Sequence, residues 1–119
     1  MYSAQVLDHF EHSRNVGVVE AADASAQLEN PVCGDVLQIT LKFEGGRIRE
    51  ARFRAKGCVP AIACGSALTE LVHGKTVAEA RVLRREDLIT VLGSLPQASV
   101  HASQLALDTL AAALRDISV

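Results

Sequence analysis

Tryptophan is absent from this chain, and one tyrosine, three phenylalanines and one methionine are all the aromatic and thioether bulk it has. With 49 % of its 119 residues hydrophobic, the core must therefore be built from Leu, Val, Ile and Ala. No apolar run reaches the roughly eighteen residues a membrane span needs, and no charged start leads into an apolar stretch, so neither a span nor a signal peptide is supported. Charge of one sign is also missing. Twelve Lys and Arg are interspersed with fourteen Asp and Glu, for a formal net charge of −2, and no basic stripe is interleaved with aromatics. This argues against a nucleic-acid partner. Repeats, low-complexity tracts and linkers are lacking, so residues 1–119 are expected to form one domain, long enough for a modest core without staples. Three cysteines, an odd number without a secretory context, point to reduced thiols and a cytoplasmic location.

What is present reads as strands first and helices after. Ser3 can cap a short helix carrying Tyr2, Val6 and Phe10 at helical spacing, with His9 and His12 near its solvated C-terminal end. Ala24 to Glu29 suits an edge strand. Leu37, Ile39, Leu41 and Phe43 alternate with Val36, Gln38, Thr40 and Lys42, the period of a half-buried strand. Glu44-Gly45-Gly46-Arg47 then turns the chain back into a strand running to about Lys56. A simple register would set Leu41 against Glu50 and Ile39 against Arg52 on the core face. One extra residue near Arg49 or Glu50 instead faces Leu41 with Ala51, Ile39 with Phe53 and Leu37 with Ala55, so a β-bulge is expected there. Glu50, Arg52 and Arg54 then share a solvated outer face.

Helices follow. Pro60 to His73 is expected to be helical, with Gly74 just past its end. Thr76-Val77-Ala78-Glu79 is a capping box, Glu86 to Leu92 adds a turn or two, and Ser99 to Ile117 forms a long final helix with Leu107, Leu110, Leu114 and Ile117 on one face. The economical packing is an α+β fold, a small antiparallel sheet covered on one face by helices.

The hairpin carries the chemistry. Asn30-Pro31-Val32-Cys33-Gly34-Asp35 ends where one strand begins, and Gly57-Cys58 stands where its partner ends. Two thiols and a carboxylate converge at one mouth, and Cys33 and Asp35 share the parity of the core-facing residues, so a partly sheltered site is expected. Two inert buried thiols or an adventitious disulfide are the competing explanation. The metal is favoured, because a carboxylate in a dry site is costly without a cation. His101, in the first turn of the last helix, can project toward a neighbouring site, and its ring nitrogens suit zinc or iron. Periodicity alone does not bring it to the hairpin, and a His at a helix start is more often a surface residue.

These same residues resemble the scaffold proteins of iron–sulfur cluster assembly, the IscU and NifU N-terminal family. The similarity runs almost end to end: Tyr2 to His9, Ser13-Arg14-Asn15-Val16-Gly17, Asn30 to Asp35, Phe53 to Cys58 with Ala61-Ile62-Ala63, Glu70 to Lys75, Leu95-Pro96, and Val100 to Ala106. The resemblance implies an α+β fold with a three-stranded sheet. It also implies a protein that is not an enzyme. Such a protein receives sulfur from a cysteine desulfurase and iron from a donor, holds a transient [2Fe-2S] cluster, and passes it to recipient apo-proteins. Cys33 and Cys58 match two cluster cysteines, Asp35 matches the aspartate that keeps the cluster labile, and His101 matches the histidine beside the third cysteine. Related proteins hold zinc with such a set, a reasonable four-coordinate site.

Departures from the family pattern are specific. The position of the third cysteine is Ala102, which can neither bind metal nor carry a persulfide. The leucine-proline-proline-valine-lysine handle of a dedicated chaperone is here Leu95-Pro96-Gln97-Ala98-Ser99, which leaves recognition by that chaperone doubtful. No large insertion precedes His101, as the scaffold branch would have it. Cys64 falls on a helical stripe with Leu68, Leu71 and Val72 and is better explained as a small buried hydrophobe than as a replacement ligand. Three functional classes therefore stand: a cluster scaffold or carrier, a zinc-bound sulfur acceptor for a cysteine desulfurase, and, least supported, an enzyme with a zinc-held water and Asp35 as base. A degenerate regulatory paralogue that still docks on the desulfurase is the outcome if no metal binds.

Overall fold

Helices pack on one face of a three-stranded antiparallel sheet in the computed structural model, which describes residues 1–117. The elements in order are α1 (Ala4–Glu11), β1 (Ala24–Glu29), β2 (Val36–Glu44), β3 (Arg47–Lys56), α2 (Val59–Val72), α3 (Val77–Arg81), α4 (Arg85–Leu92), a 3₁₀ turn (Gln97–Ser99) and α5 (Val100–Leu114). The strands lie in the order β1-β2-β3. Among the described residues, no helix is long and apolar enough to cross a membrane.

The hairpin has the bulged register. Leu41 faces Ala51, Ile39 faces Phe53 and Leu37 faces Ala55. Lys42 pairs with Glu50 but Phe43 pairs with Ile48, so Arg49 is the extra residue. The driving force is the one seen in the sequence: without the bulge a charged Glu50 would point into an apolar core, at a penalty of several kcal/mol for an unpaired buried charge. Gly45 and Gly46 close the hairpin at φ 60° and 76°, a backbone that side chains resist.

Helix α2 is the centre of the molecule. Ten of its fourteen residues are buried, so it has no solvent face to speak of and packs against β3, α1, α4 and α5 at once. Its small residues allow this. At Gly65 an added Cβ would lie 2.5 Å from the Phe53 ring, which shows how closely helix and sheet approach. Truncating Leu68, fully buried here, should cost about 2–5 kcal/mol. Helix α5 covers β1 and β2 beside it.

The other face of the sheet is mostly solvated, with one cover. The segment after α1 runs along the free edge of β3, where the Gly17 N–H donates to the Phe53 carbonyl (2.8 Å) and the Phe53 N–H to that of Asn15 (2.9 Å). Thr40 on the outer face is buried beneath this segment and its hydroxyl accepts the Val19 N–H. An edge that could have recruited another strand is thereby occupied.

Two local expectations need correction. Helix α5 ends at Leu114, not Ile117: the N–H groups of Arg115 and Ile117 bond only three residues back, to Ala112 (3.4 Å) and Leu114 (3.2 Å), and the Arg81 guanidinium caps the carbonyls of Leu114 (2.7 Å) and Ile117 (2.6 Å). Its buried stripe is Ala102, Leu105, Ala106, Thr109, Leu110 and Ala113, while Leu107 stands half out of it. His9 is not solvated. It is buried between α1 and α2, with Nδ1 2.7 Å from the Ser66 hydroxyl and Nε2 3.6 Å from Glu70.

Candidate metal centre

One end of the sheet collects every segment that matters. β2 begins there, β3 ends there, and α2 and α5 both start there. The β1–β2 connection is built by Asn30. Its side-chain Oδ1 accepts the Val32 N–H (3.0 Å), its carbonyl accepts the Gly34 N–H (2.7 Å), and its own N–H donates to the Asp35 carbonyl (2.8 Å). This is an Asx turn, and the Asn30-Pro31 pair is the sequence signal for it. It lifts Cys33 out of the strand and returns the chain so that Asp35 enters the interior.

Asp35 is the hub. It is 2 % exposed, and its two oxygens divide the work. Oδ1 accepts the backbone N–H of Cys58 at 3.1 Å, where the chain leaves β3 and Cys58 becomes the N-cap of α2. Oδ2 accepts both thiols, from Cys33 and from Cys58, each at 3.2 Å. His101 Nε2 lies 3.9 Å from the same Oδ2. The last helix therefore does deliver its histidine to the hairpin mouth. Ligand atoms of Cys33, Asp35 and His101 all lie within 4.8 Å of one another, and Cys58 joins that group through Asp35.

Exposure is uneven across the set. Asp35 is buried, Cys58 is half-buried, and Cys33 and His101 are exposed. Asp35 follows the strand's parity inward, but Cys33 does not, because it lies in the turn and not on a strand, where alternation no longer applies. Val32 beside it is 94 % exposed. An open hollow of about 310 Å³, lined by Asn30, Val32, Cys33 and His101, gives access from solvent. A wider hollow of about 660 Å³ between α3, α4 and α5 includes none of the four residues.

Electrostatics follow from this packing. Burial pushes the Asp35 carboxyl up, but hydrogen bonds from the Cys58 and Cys33 thiols and the Cys58 N–H, with His101 nearby, outweigh it and leave its pKa below the ordinary value. Burial raises the Cys58 thiol, and its hydrogen bond to Asp35 adds to this against an opposing backbone bond at Ala61. The four donors are those of a thiophilic or borderline metal: two sulfurs, one oxygen, one nitrogen. A buried carboxylate whose nearest neighbours are two thiols and an imidazole fits a cation, which would compensate the charge in place of the thiol protons.

The remaining cysteine stays apart. Cys64 is fully buried in α2, its thiol pushed up to about 12 by burial with a contribution from Cys58. It packs in the apolar core, and so does Ala102, 1 % exposed.

Comparison with known proteins supplies the context. A family model described as NifU-like N terminal domain matches residues 1–118. The chain is similar to the iron-sulfur cluster assembly scaffold protein IscU 1 of Archaeoglobus fulgidus, 44 % identical over 116 residues that cover 98 % of this chain and 76 % of that one. It is 40 % identical to the scaffold protein IscU of Escherichia coli strain K12, covering 97 % of this chain and 92 % of that one. Among solved structures it superposes on the N-terminal part of a NifU-like protein from Brucella abortus with a TM-score of 0.79 and 18 % identity, covering 95 % and 91 % of the two chains. It superposes on a putative scaffold protein for the SUF system from Fervidobacterium islandicum with a TM-score of 0.78 and 23 % identity, covering 95 % and 96 %. At those identities the superpositions speak for the fold alone.

Proposed function

This chain belongs to the NifU-like N-terminal domain family, and from that membership we propose that it is a scaffold or carrier of iron–sulfur cluster assembly. The observation that carries the proposal is the shared oxygen: Asp35 Oδ2 within 3.2 Å of two thiols and 3.9 Å of an imidazole, at an end of the fold open to solvent. Cys33, Cys58, Asp35 and His101 hold the cargo, a transient [2Fe-2S] cluster or its iron. A cysteine desulfurase supplies the sulfur in the cytoplasm, and recipient apo-proteins take the finished cluster. The protein binds and hands over; it has no turnover of its own.

The residues account for both halves of that task. Cys33 is exposed and is the thiol an incoming donor reaches first. Both S–H groups already point at Asp35 Oδ2, so the carboxylate contacts the protons that metal binding must displace. Only two thiolates are available where cluster proteins ordinarily supply four. Asp35 and His101 complete the set with harder donors, and a loosely held cluster is the consequence.

That same mixture favours a second reading, a zinc-bound sulfur acceptor for the desulfurase, since one carboxylate, one imidazole and two thiolates satisfy tetrahedral zinc. Metal analysis of protein purified and reconstituted without air decides between them. Iron with acid-labile sulfide supports the scaffold; one zinc per chain, unchanged by iron and sulfide, supports the acceptor. Neither metal would leave a regulatory relative without cargo. A companion test is Ala102→Cys: this position is 1 % exposed in the core, so the cluster lifetime should lengthen if the new thiol turns from the core to the site beside His101, and an unchanged lifetime places that position outside the coordination sphere.

A further inference from the structure

Gly57 sits at the junction of β3 and α2, one residue before Cys58, with φ 145°. A Cβ built there would lie 2.0 Å from Asp35 Oδ1, 2.8 Å from its Cγ and 3.1 Å from its Cα. Real Cβ atoms do not approach other atoms so closely. The carboxylate therefore occupies the volume that any side chain at position 57 would fill. It has nowhere else to go without cost, because Oδ1 is held by the Cys58 N–H and Oδ2 by both thiols.

Gly34, on the other side of Asp35, shows the contrast. Its φ is 76°, yet a Cβ there would meet nothing within 4 Å. Gly34 answers a backbone need alone, whereas Gly57 answers a backbone need and also vacates the seat of the hub carboxylate. We propose that Gly57 is a positioning residue of the metal centre, acting through Asp35: its missing side chain is what lets one carboxylate oxygen reach Cys33, Cys58 and His101 together. This rests on the metal-site reading given above. Any side chain at position 57 pushes the carboxylate outward, frees the Cys58 N–H and separates the two thiols that now share Oδ2.

The test is a double-mutant cycle with cobalt(II) as the probe, following its thiolate-to-metal absorption, in wild type, Gly57→Ala, Asp35→Ala and the double variant. Gly74→Ala serves as the control for backbone strain, since Gly74 has φ 84° and open space around its Cβ. Gly57→Ala should weaken cobalt binding by roughly 10- to 100-fold, the range for groups that orient metal ligands, and Asp35→Ala, which removes a ligand outright, by more than that. The double variant should bind no worse than the weaker single one, and Gly74→Ala should bind like wild type. Wild-type affinity in Gly57→Ala, or losses that multiply in the double variant, overturns the proposal. If Gly57→Ala does not fold, the double variant decides: recovery of the fold supports a clash with Asp35, and continued failure overturns it. A wild-type protein that binds no cobalt refutes the metal site itself. In that event the Cys58 amide resonance of metal-free Gly57→Ala still decides the positioning role, by moving as it does in Asp35→Ala or by staying at its wild-type position.

Discussion

Two buried polar knots occupy this small molecule, and they are built from similar parts to opposite ends. At the sheet end, Asp35 gathers two thiols and an imidazole, and the group faces an open hollow. Between α1 and α2, the Ser66 hydroxyl meets His9 Nδ1 at 2.7 Å and accepts the Arg14 N–H at 2.9 Å, and Glu70 stands 3.6 Å from the other side of the imidazole. Serine, histidine and an acid in line suggest a nucleophilic triad. Yet Ser66 is 0 % exposed and its hydroxyl is already engaged by main chain, so no substrate can approach. The difference is one of residual capacity. The Ser66 knot satisfies its members with one another and clamps α1 to α2. The Asp35 knot holds soft donors whose protons can leave, at an address that solvent and partners can reach.

Breaking the site should leave the clamp intact. Cys58→Ser removes a thiolate from the metal set, and its cobalt or zinc affinity should fall by at least about 100-fold, beyond what loss of an orienting group produces. The thermal midpoint of the metal-free protein should move little, because serine can still donate to Asp35. Comparable metal affinity in this variant would remove Cys58 from the site.

Breaking the clamp should leave the site intact. Ser66→Ala strands the Arg14 N–H and takes the partner from His9 in a dry region, which should cost about 1–3 kcal/mol in a denaturant titration. Cobalt affinity per folded molecule should be unchanged. A large drop in affinity would show that the two knots are coupled through α2.

A smaller effect sharpens the clamp's description. Burial holds the His9 pKa below its ordinary value, with Arg14 adding to this and Glu70 and Asp8 opposing it. The unfolded chain therefore binds the proton more readily than the native one. The stability this packing provides is complete above about pH 6.5 and declines as pH falls through and below that value. Unfolding titrations at a series of pH values should show that decline in wild type and a flatter profile in His9→Gln. Equal slopes would mean that His9 does not titrate with unfolding.

Legibility in the sequence follows the range of the interactions involved. The bulge at Arg49 was legible because Leu41 and Glu50 conflict within one hairpin, a contest settled locally. The Thr76 capping box and the Ser3 cap are contained in four residues each and stand as expected. His9 misled because its partner Ser66 lies 57 positions away, and nothing near α1 announces it. The guanidinium that caps the end of α5 comes from Arg81, again a distant residue. At the candidate metal centre, residue types and hairpin geometry led to the expectation that Cys33, Asp35 and Cys58 lie together, and their side chains do meet at Asp35 Oδ2. That His101 arrives beside them could be read from the family resemblance but not from periodicity. The steric role of Gly57 appears only once Asp35 has coordinates.

The most direct test of the central claim, that these four side chains share one ion, is the X-ray absorption spectrum of the zinc-loaded protein. Two sulfurs at about 2.3 Å and two lighter atoms at about 2.0–2.2 Å are predicted. One of the sulfurs should disappear in Cys33→Ser and one in Cys58→Ser, and the imidazole scattering should disappear in His101→Ala. A first shell without sulfur, or one that none of these substitutions alters, would contradict it.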